Sequence, residues 1–391
     1  MTERTTVTLA DVARHAGVSL ATASRAINGS ARRVRADLEA RVLEAAQELR
    51  YAPNTAAQAI ARGTSTTVAL VIGDIADPYF ASIAAGVIKA ADDFGLVVTM
   101  TATGGDPVRI AAALRTLLGQ RPRAVILAGS RALPAASPTE RDIDDALDEL
   151  VRAGAGVTAL GTASHGPIGA GVRSVPIDNR GGAHALARAL VEVGHRDFAI
   201  LAGRPDLATP VERTAGFVAG AAEAGVAIPA ERIVHGEFTR DGGYRGMVSL
   251  LDHGLQSGCV FAATDVMAVG AMAAMRERGL EPGADIAVAG YDDIAMLQDV
   301  YPPLTTVHLP LEAIGALALD VAMSAQGDDV SARAFADEDE PDLDPASTES
   351  GVSEAGASAP GGSEPEAAVT LPVQGRVILR ASTGARVEVE R

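Results

Sequence analysis

The chain has 391 residues, a hydrophobic share of 48 % and a net charge of −17, length and apolar content enough for two to three packed domains. One cysteine, Cys259, excludes an internal disulfide, and no apolar run reaches the roughly 18 residues that a membrane-spanning helix needs. Residues 1–62 hold nine Arg against six acidic residues, a net of +3, whereas 328–368 hold one Arg against twelve, a net of −11. Basic charge is thus gathered at one end, where phosphate would be met, and the acidic remainder opposes non-specific association with DNA.

Thr8 and Asp11 have the spacing of a reciprocal capping box, and Leu9, Val12, Ala13 and Ala16 then recur on one helical face. Gly17 stops that helix and Ser19 caps the next, Leu20 to Asn28, which makes a helix-turn-helix. On this second helix Ala23, Ala26 and Ile27 turn inward, while Leu20, Ala21 and Arg25 lie on the exposed N-terminal side. Arg25 can donate in bidentate fashion to guanine O6 and N7, and Leu20 and Ala21 offer apolar contact suited to thymine methyls. Thr22, Ser24 and Asn28, with Arg32 and Arg33 in the following loop, suit backbone phosphates, which fix register without reading sequence. A third helix, about Ala36 to Leu49, is scaffold with Val42, Leu43, Ala46 and Leu49 inward. Asn54 can then cap an alanine-rich helix that ends before Gly63, too short to be stable alone in water.

From Thr67 apolar strands alternate with helices: Val68–Ile72, a helix around Phe80–Phe94, Val97–Thr101, a helix from about Val108 to Leu118, and Ala124–Ala128. A second series runs through Phe198–Ala202, Cys259–Ala262 and Ile286–Ala289, a pattern that implies parallel sheets with helices on both faces and, in tandem, a cleft between lobes. The seven histidines lack metal-ligand spacing. There is no Gly-x-Ser-x-Gly elbow, no Gly-x-Gly-x-x-Gly after the first strand and no Gly-Lys-Ser/Thr loop. No metal, cofactor or enzymatic activity is expected. The acidic stretch 328–368 is nearly devoid of large apolar residues and is expected to be a disordered insertion between a helix at Leu311–Ala325 and a closing segment at Val377–Thr383.

The string Asp11-Val-Ala-Arg-His-Ala-Gly-Val-Ser19, followed by Thr22, Ser24-Arg25, Asn28-Gly29 and Tyr51-Ala-Pro-Asn54, resembles the headpiece of the lactose-repressor (LacI/GalR) family of bacterial transcription regulators. The likeness extends over nearly the whole chain apart from about 328–368. It implies an α/β protein with an all-α headpiece at 1–52, a hinge helix at 53–63 and a two-lobed, periplasmic-binding-protein-like body of doubly wound parallel sheets at 64–391. The N-lobe would take about 64–177 and 308–327, the C-lobe about 178–307 and 369–391. In the family the hinge helix folds against its twofold mate in the minor groove, where an apolar side chain wedges between bases; that place falls to Ile60 here. The loop before the third helix is one residue longer than the family pattern, and Arg35, Leu38 and Glu39 stand where a Ser cap and a Thr-Arg pair are usual.

The resemblance also locates a small-molecule site in the cleft, through Asp77-Pro-Tyr-Phe80, Arg213-Thr-Ala-Gly-Phe217 and Gly290-Tyr-Asp-Asp293. It implies Tyr79 and Phe80 as flanking aromatics, Arg213 and Asp292 as polar grips, Thr209 as a supporting hydroxyl and Phe238 as a ring platform. Thr264, beside Asp265, replaces the family's amide in Ala263-Thr-Asp, which changes the hydroxyl geometry that can be met. The expected function is a ligand-responsive repressor, a cytoplasmic homodimer on double-stranded palindromic operator DNA, with a sugar or similar polar effector. The absence of an apolar signal segment after Met1 agrees with that location. A soluble sugar-binding transport protein, an activator of the same fold and, more distantly, a sugar-modifying enzyme are the alternatives.

The β-branch of Ile60 stiffens χ1 relative to leucine and slightly lowers helix propensity. Ile60→Leu is therefore expected to bind operator at least as tightly as wild type, and Ile60→Gly to lose specific affinity with little change on scrambled DNA. Titrations of both DNAs at one salt concentration check this; an unaffected glycine variant would reduce the segment to a linker.

Overall fold

The computed structural model describes residues 7–28, 34–52, 65–133, 137–161, 171–324 and 372–384. Asn54, Ile60 and the rest of the expected hinge helix, Arg32-Arg33 and the acidic stretch 328–368 lie outside these residues. By internal contacts the chain divides into a unit ending at Ser65 and another starting at Thr66.

In the first unit α1 (Leu9–Ala16), α2 (Leu20–Asn28) and α3 (Ala36–Glu48) pack around Val12, Ala13, Ala16, Ala23, Val42 and Ala45. The capping box forms as the spacing demands: the Thr8 amide donates to Asp11 at 3.0 Å and the Asp11 amide to Thr8 Oγ1 at 3.4 Å. Gly17 closes α1 with φ of 63°, a conformation that costs a glycine little. His15 on α1 meets Glu48 on α3 at 2.7 Å. Leu43, expected inward, is exposed, and Ala45 is buried instead. The inward face of α3 is Val42, Ala45, Ala46 and Leu49, spaced i, i+3, i+4, i+7, and Leu43 falls one position off it.

The second unit holds two parallel sheets. Strands β1 (Thr67–Ile72), β2 (Val97–Ala102), β3 (Ala124–Ala128), β4 (Gly156–Gly161) and β5 (Arg173–Pro176) lie in the order β2-β1-β3-β4-β5. Strands β6 (Phe198–Gly203), β7 (Ile233–His235), β8 (Cys259–Ala262) and β9 (Ala287–Ala289) lie in the order β7-β6-β8-β9. Helices cover both faces of the first sheet. Leu70 and Ile126 face α4 (Pro78–Asp93) and the late helix α11 (Leu311–Ser324), while Val71 and Val125 face α5 (Pro107–Gln120) and α6 (Pro138–Arg152). Strands covered on both sides read as unbroken apolar runs, which is why β1, β3, β6 and β8 are legible without an alternating pattern. The second sheet carries α7 (Asn179–Val193), α8 (Ala208–Glu223), α9 (Arg240–Asp252) and α10 (Asp265–Glu277).

The chain passes between the two halves after β5, after β10 (Thr306–His308) and again before β11 (Arg376–Ile378), and these passages lie side by side. The Val373 amide donates to Pro176 O at 2.8 Å, the Asp178 amide donates to Val373 O at 2.9 Å, and β10 and β11 pair antiparallel.

Three helix pairs cross at glycines. A Cβ on Gly86 of α4 would lie 1.9 Å from Glu312 O of α11, and one on Gly315 of α11 would lie 2.1 Å from Ile83 O. Gly216 of α8 meets Arg180 O of α7 at 2.1 Å in the same construction, and Gly270 of α10 meets Arg240 O of α9 at 2.0 Å. Backbone carbonyls cannot rotate away as side chains do. Gly86→Ala is therefore expected to destabilise the body by about 1–3 kcal/mol through overpacking. Gly119→Ala, on α5 with nothing within 4 Å of the added carbon, should instead stabilise it by up to about 1 kcal/mol through helix propensity. Urea unfolding midpoints check both signs.

Candidate functional sites

On α2 the buried Ala23 and the partly buried Ala26 and Ile27 anchor the helix to its neighbours. The opposite side presents Leu20, 53 % exposed, with Ala21 and Arg25 also exposed. Ser19 caps the helix by accepting from the Thr22 amide at 3.1 Å, and the Ser19 and Thr22 hydroxyls lie 2.8 Å apart. Other arginines of the unit are engaged: Arg14 with Asp11 at 3.0 Å, Arg35 with Asp37 at 2.8 Å, Arg41 with Ala16 O. Arg25 makes no hydrogen bond or ion pair among the described residues. Thr22 and Ser24 are half-buried beside it. Arg35 precedes α3 without capping it through its side chain, in keeping with the departure noted at that position.

In the body a cavity of about 510 Å³ opens at the carboxyl ends of the strands of both sheets, the place where open α/β sheets bind ligands. Its two halves are built alike. Gly73 follows β1 and Gly203 ends β6; a Cβ there would stand 2.8 Å from the Phe80 ring and 2.5 Å from the Phe238 ring. The missing side chains let one aromatic lie over each strand end. Tyr79 meets Phe80 edge to face with ring centroids 5.1 Å apart, and both stand at the start of α4, whose cap is Asp77.

Arg213 is the centre of the site. Only 2 % exposed, it donates from Nε to Asn179 Oδ1 at 2.9 Å and from Nη1 to Ala263 O at 2.8 Å, and pairs through Nη2 with Asp292 Oδ1 at 2.8 Å. Its guanidinium carbon lies 3.8 Å from the Tyr291 ring centroid. Burial raises the pKa of the Asp292 carboxyl, and Arg213 pulls it back. The backbone of Asp292 is strained, with φ of 114°, and Asp293 follows at 57°. The crossover strand holds both: the Asp292 amide donates to Val307 O at 2.9 Å, and the Asp293 carboxylate pairs with His308 at 3.0 Å and Arg380 at 2.7 Å.

At the cavity rim the two halves touch. The Leu133 amide donates to Asp206 O at 2.7 Å, the Ala208 amide to Arg131 O at 3.0 Å, and the Thr209 amide to Ser130 Oγ at 3.0 Å. Ser130, from the first half, thereby supplies the side-chain acceptor that Leu207 cannot give to the start of α8.

Of the residues singled out in the sequence, Tyr79, Phe80, Thr209, Arg213, Phe238, Thr264 and Asp292 all line this cavity. Thr264 also caps α10 by accepting from the Met267 amide at 3.3 Å. Asp265 is not among the lining residues. Fully buried, it accepts from Thr306 Oγ1 at 2.7 Å and from the Ile294 amide at 3.0 Å, and burial raises its pKa. Its place is behind the wall, fixing the turn that carries Asp292. Sequence reasoning missed Ser130, Arg131, Asn179 and Glu237, which line the cavity but stand in no motif of their own.

A family model for bacterial regulatory proteins of the lacI family matches residues 8–54, and one for a periplasmic binding protein-like domain matches residues 187–336. The HTH-type transcriptional regulator CelR of Thermobifida fusca is 35 % identical over 320 residues, 81 % of this chain and 90 % of that protein. A solved CelR–cellobiose complex covers 96 % of this chain and 99 % of its own at 28 % identity and a TM-score of 0.61. A lac repressor dimer bound to operator and the anti-inducer ONPF covers 83 % and 94 % at 28 % identity and a TM-score of 0.68. With a helix-turn-helix in its N-terminal unit, a ligand-sized cavity in a two-sheet body and relatives of this identity over most of both chains, the protein belongs to the lacI family of bacterial regulatory proteins.

Proposed function

We propose that this transcription regulator represses from a palindromic operator as a homodimer and changes its grip on DNA when a sugar-like effector fills the body cavity. The observation that carries the reading is the occurrence, in one chain, of an Arg25 on α2 that is exposed and without a partner among the described residues, and of a cavity walled by Phe80, Phe238, Arg213 and Asp292. A carboxylate and a guanidinium hold hydroxyls while aromatic faces cover C–H surface. The cavity is larger than one sugar ring fills, and the cellobiose bound by CelR supports a disaccharide. The operator-bound dimer of the lac repressor supports twofold binding here. So do Val97, 61 % exposed, and Met100 on the edge strand β2, which offer a second copy an apolar margin. No helix among the described residues is long and apolar enough to cross a membrane, and the protein acts in the cytoplasm without catalysing a reaction.

Arg25→Ala is expected to lose about 1–3 kcal/mol on operator DNA and to relax preference at one symmetric G·C position. Fluorescence anisotropy against wild-type and single-base-changed operators checks it, and equal affinity for both proteins would remove Arg25 from base reading. Asp292→Asn keeps the volume of the cavity wall but removes the charge that compensates buried Arg213, so the melting temperature should fall by several degrees, while the protein that remains folded still binds operator and loses its response to effector. A variant that still responded at the same effector concentration would show that Asp292 is no grip.

A further inference from the structure

We propose that the cavity selects a donor-rich, uncharged ligand and rejects anions, because among its described walls the arginines and the helix N-termini, two main anion-binding groups of proteins, already face carboxylates or caps. This rests on the effector reading above. The first kind is the arginine side chain. Arg131, Arg204, Arg213 and Arg240 line the cavity. Arg213 is held by Asp292 inside the wall, while Arg204, half-buried, and Arg240, exposed, lie against Asp206 at 2.6 Å and Asp241 at 2.9 Å, whose charges offset theirs toward an incoming anion. Arg131 is buried between two carboxylates, Glu140 and Asp144. Its Nη1 is buried without a partner, but it belongs to a group whose net charge is negative, so it suits a neutral acceptor better than an anion.

The second kind is the helix N-terminus, whose free amides and dipole favour anions. Helices α4, α5, α7, α8, α9 and α10 all begin at or beside the cavity, and at each start a side chain already accepts from a first-turn amide. Asp77, Asp106 and Asp178 cap α4, α5 and α7, accepting from Tyr79, Val108 and Gly181 at 3.0, 2.8 and 2.7 Å. Thr239 and Thr264 cap α9 and α10, and Ser130 reaches across to α8. Three of the six caps are carboxylates, which reverse the sign of the local field.

What the described walls leave over is acceptor capacity: Asp74, Asp77, Glu237 and Asp292 all line the cavity. Burial pushes the Asp77 carboxyl upward, as expected of an acid in a partly dehydrated site with no cation bonded to it. A hydroxyl donates to such oxygens. A phosphate or carboxylate would give up its water and face like charge.

The test uses the full-length protein in calorimetric titrations with cellobiose, maltose, lactose and sucrose, with glucose, with the corresponding 6-phosphates and with the uronic acids, alongside operator binding in the presence of each. The expected result is that the tightest binder is a neutral saccharide, that its phosphorylated or carboxylated counterpart binds weaker by about tenfold or more, the effect of one like charge at short range, and that Asp77→Asn narrows the gap by a similar factor. Tightest binding by a phosphate or acid that also alters DNA affinity would overturn the selectivity and leave the effector reading standing. Binding by no compound of any class, with operator affinity intact and unmoved, would instead overturn the effector reading.

Discussion

The body is organised around one dehydrated charge. A guanidinium that is 2 % exposed survives only if every direction around it is compensated, and the four partners of Arg213 come from three separate stretches of chain: Asn179 at the start of α7, Ala263 at the end of β8, and Tyr291 and Asp292 in the turn after β9. Those stretches must arrive together or the charge is left uncompensated, at a cost of about 3–5 kcal/mol for a broken buried pair. Asp265, in turn, fixes the turn through Ile294 and the crossover strand through Thr306. The ion pair that faces the cavity is therefore also what registers the second sheet against the passages between the halves.

That placement explains why the strain sits where it does. Asp292 and Asp293 are consecutive non-glycine residues at positive φ, an arrangement tolerated when the surroundings over-determine it. The first turns its carboxylate to Arg213 at the cavity, and the second turns its own to His308 and Arg380 on the crossover segments. The cavity wall and the crossing strands are thus one peptide unit apart.

Much of this was legible in the chain itself. Thr8 and Asp11 announced a capping box, and β1, β3, β6 and β8 announced themselves as apolar runs because helices cover them on both sides. The inner and outer faces of α2 followed from helical period. Leu43 was misplaced because adjacent apolar residues on a short helix leave the phase of the face undetermined by one position. Helix α6 and strands β4 and β5 went unread: Gly156-Val-Thr-Ala-Leu-Gly161 is a short run bounded by glycines, and four-residue β5 carries an arginine and a proline. Family resemblance gathered Arg213, Asp292 and the aromatics. Asp265 stood next to Thr264 in the same segment, yet the first turn of a helix sends neighbouring side chains in different directions, and only packing decides which of two adjacent residues meets the cavity. Ser130, Arg131 and Asn179 act through backbone geometry and buried pairing, neither of which leaves a pattern in sequence.

The cap that Ser130 lends to α8 has a thermodynamic consequence. A helix start that borrows its acceptor from the opposite half is complete only while the halves touch; parting them uncaps the first turn of α8, which carries Thr209. Losing such a cap costs about 1 kcal/mol, and two further rim hydrogen bonds open with it. The contact between the halves therefore stabilises more than the rim itself: the helical geometry of the first turn of α8 is tied to it through a single hydroxyl.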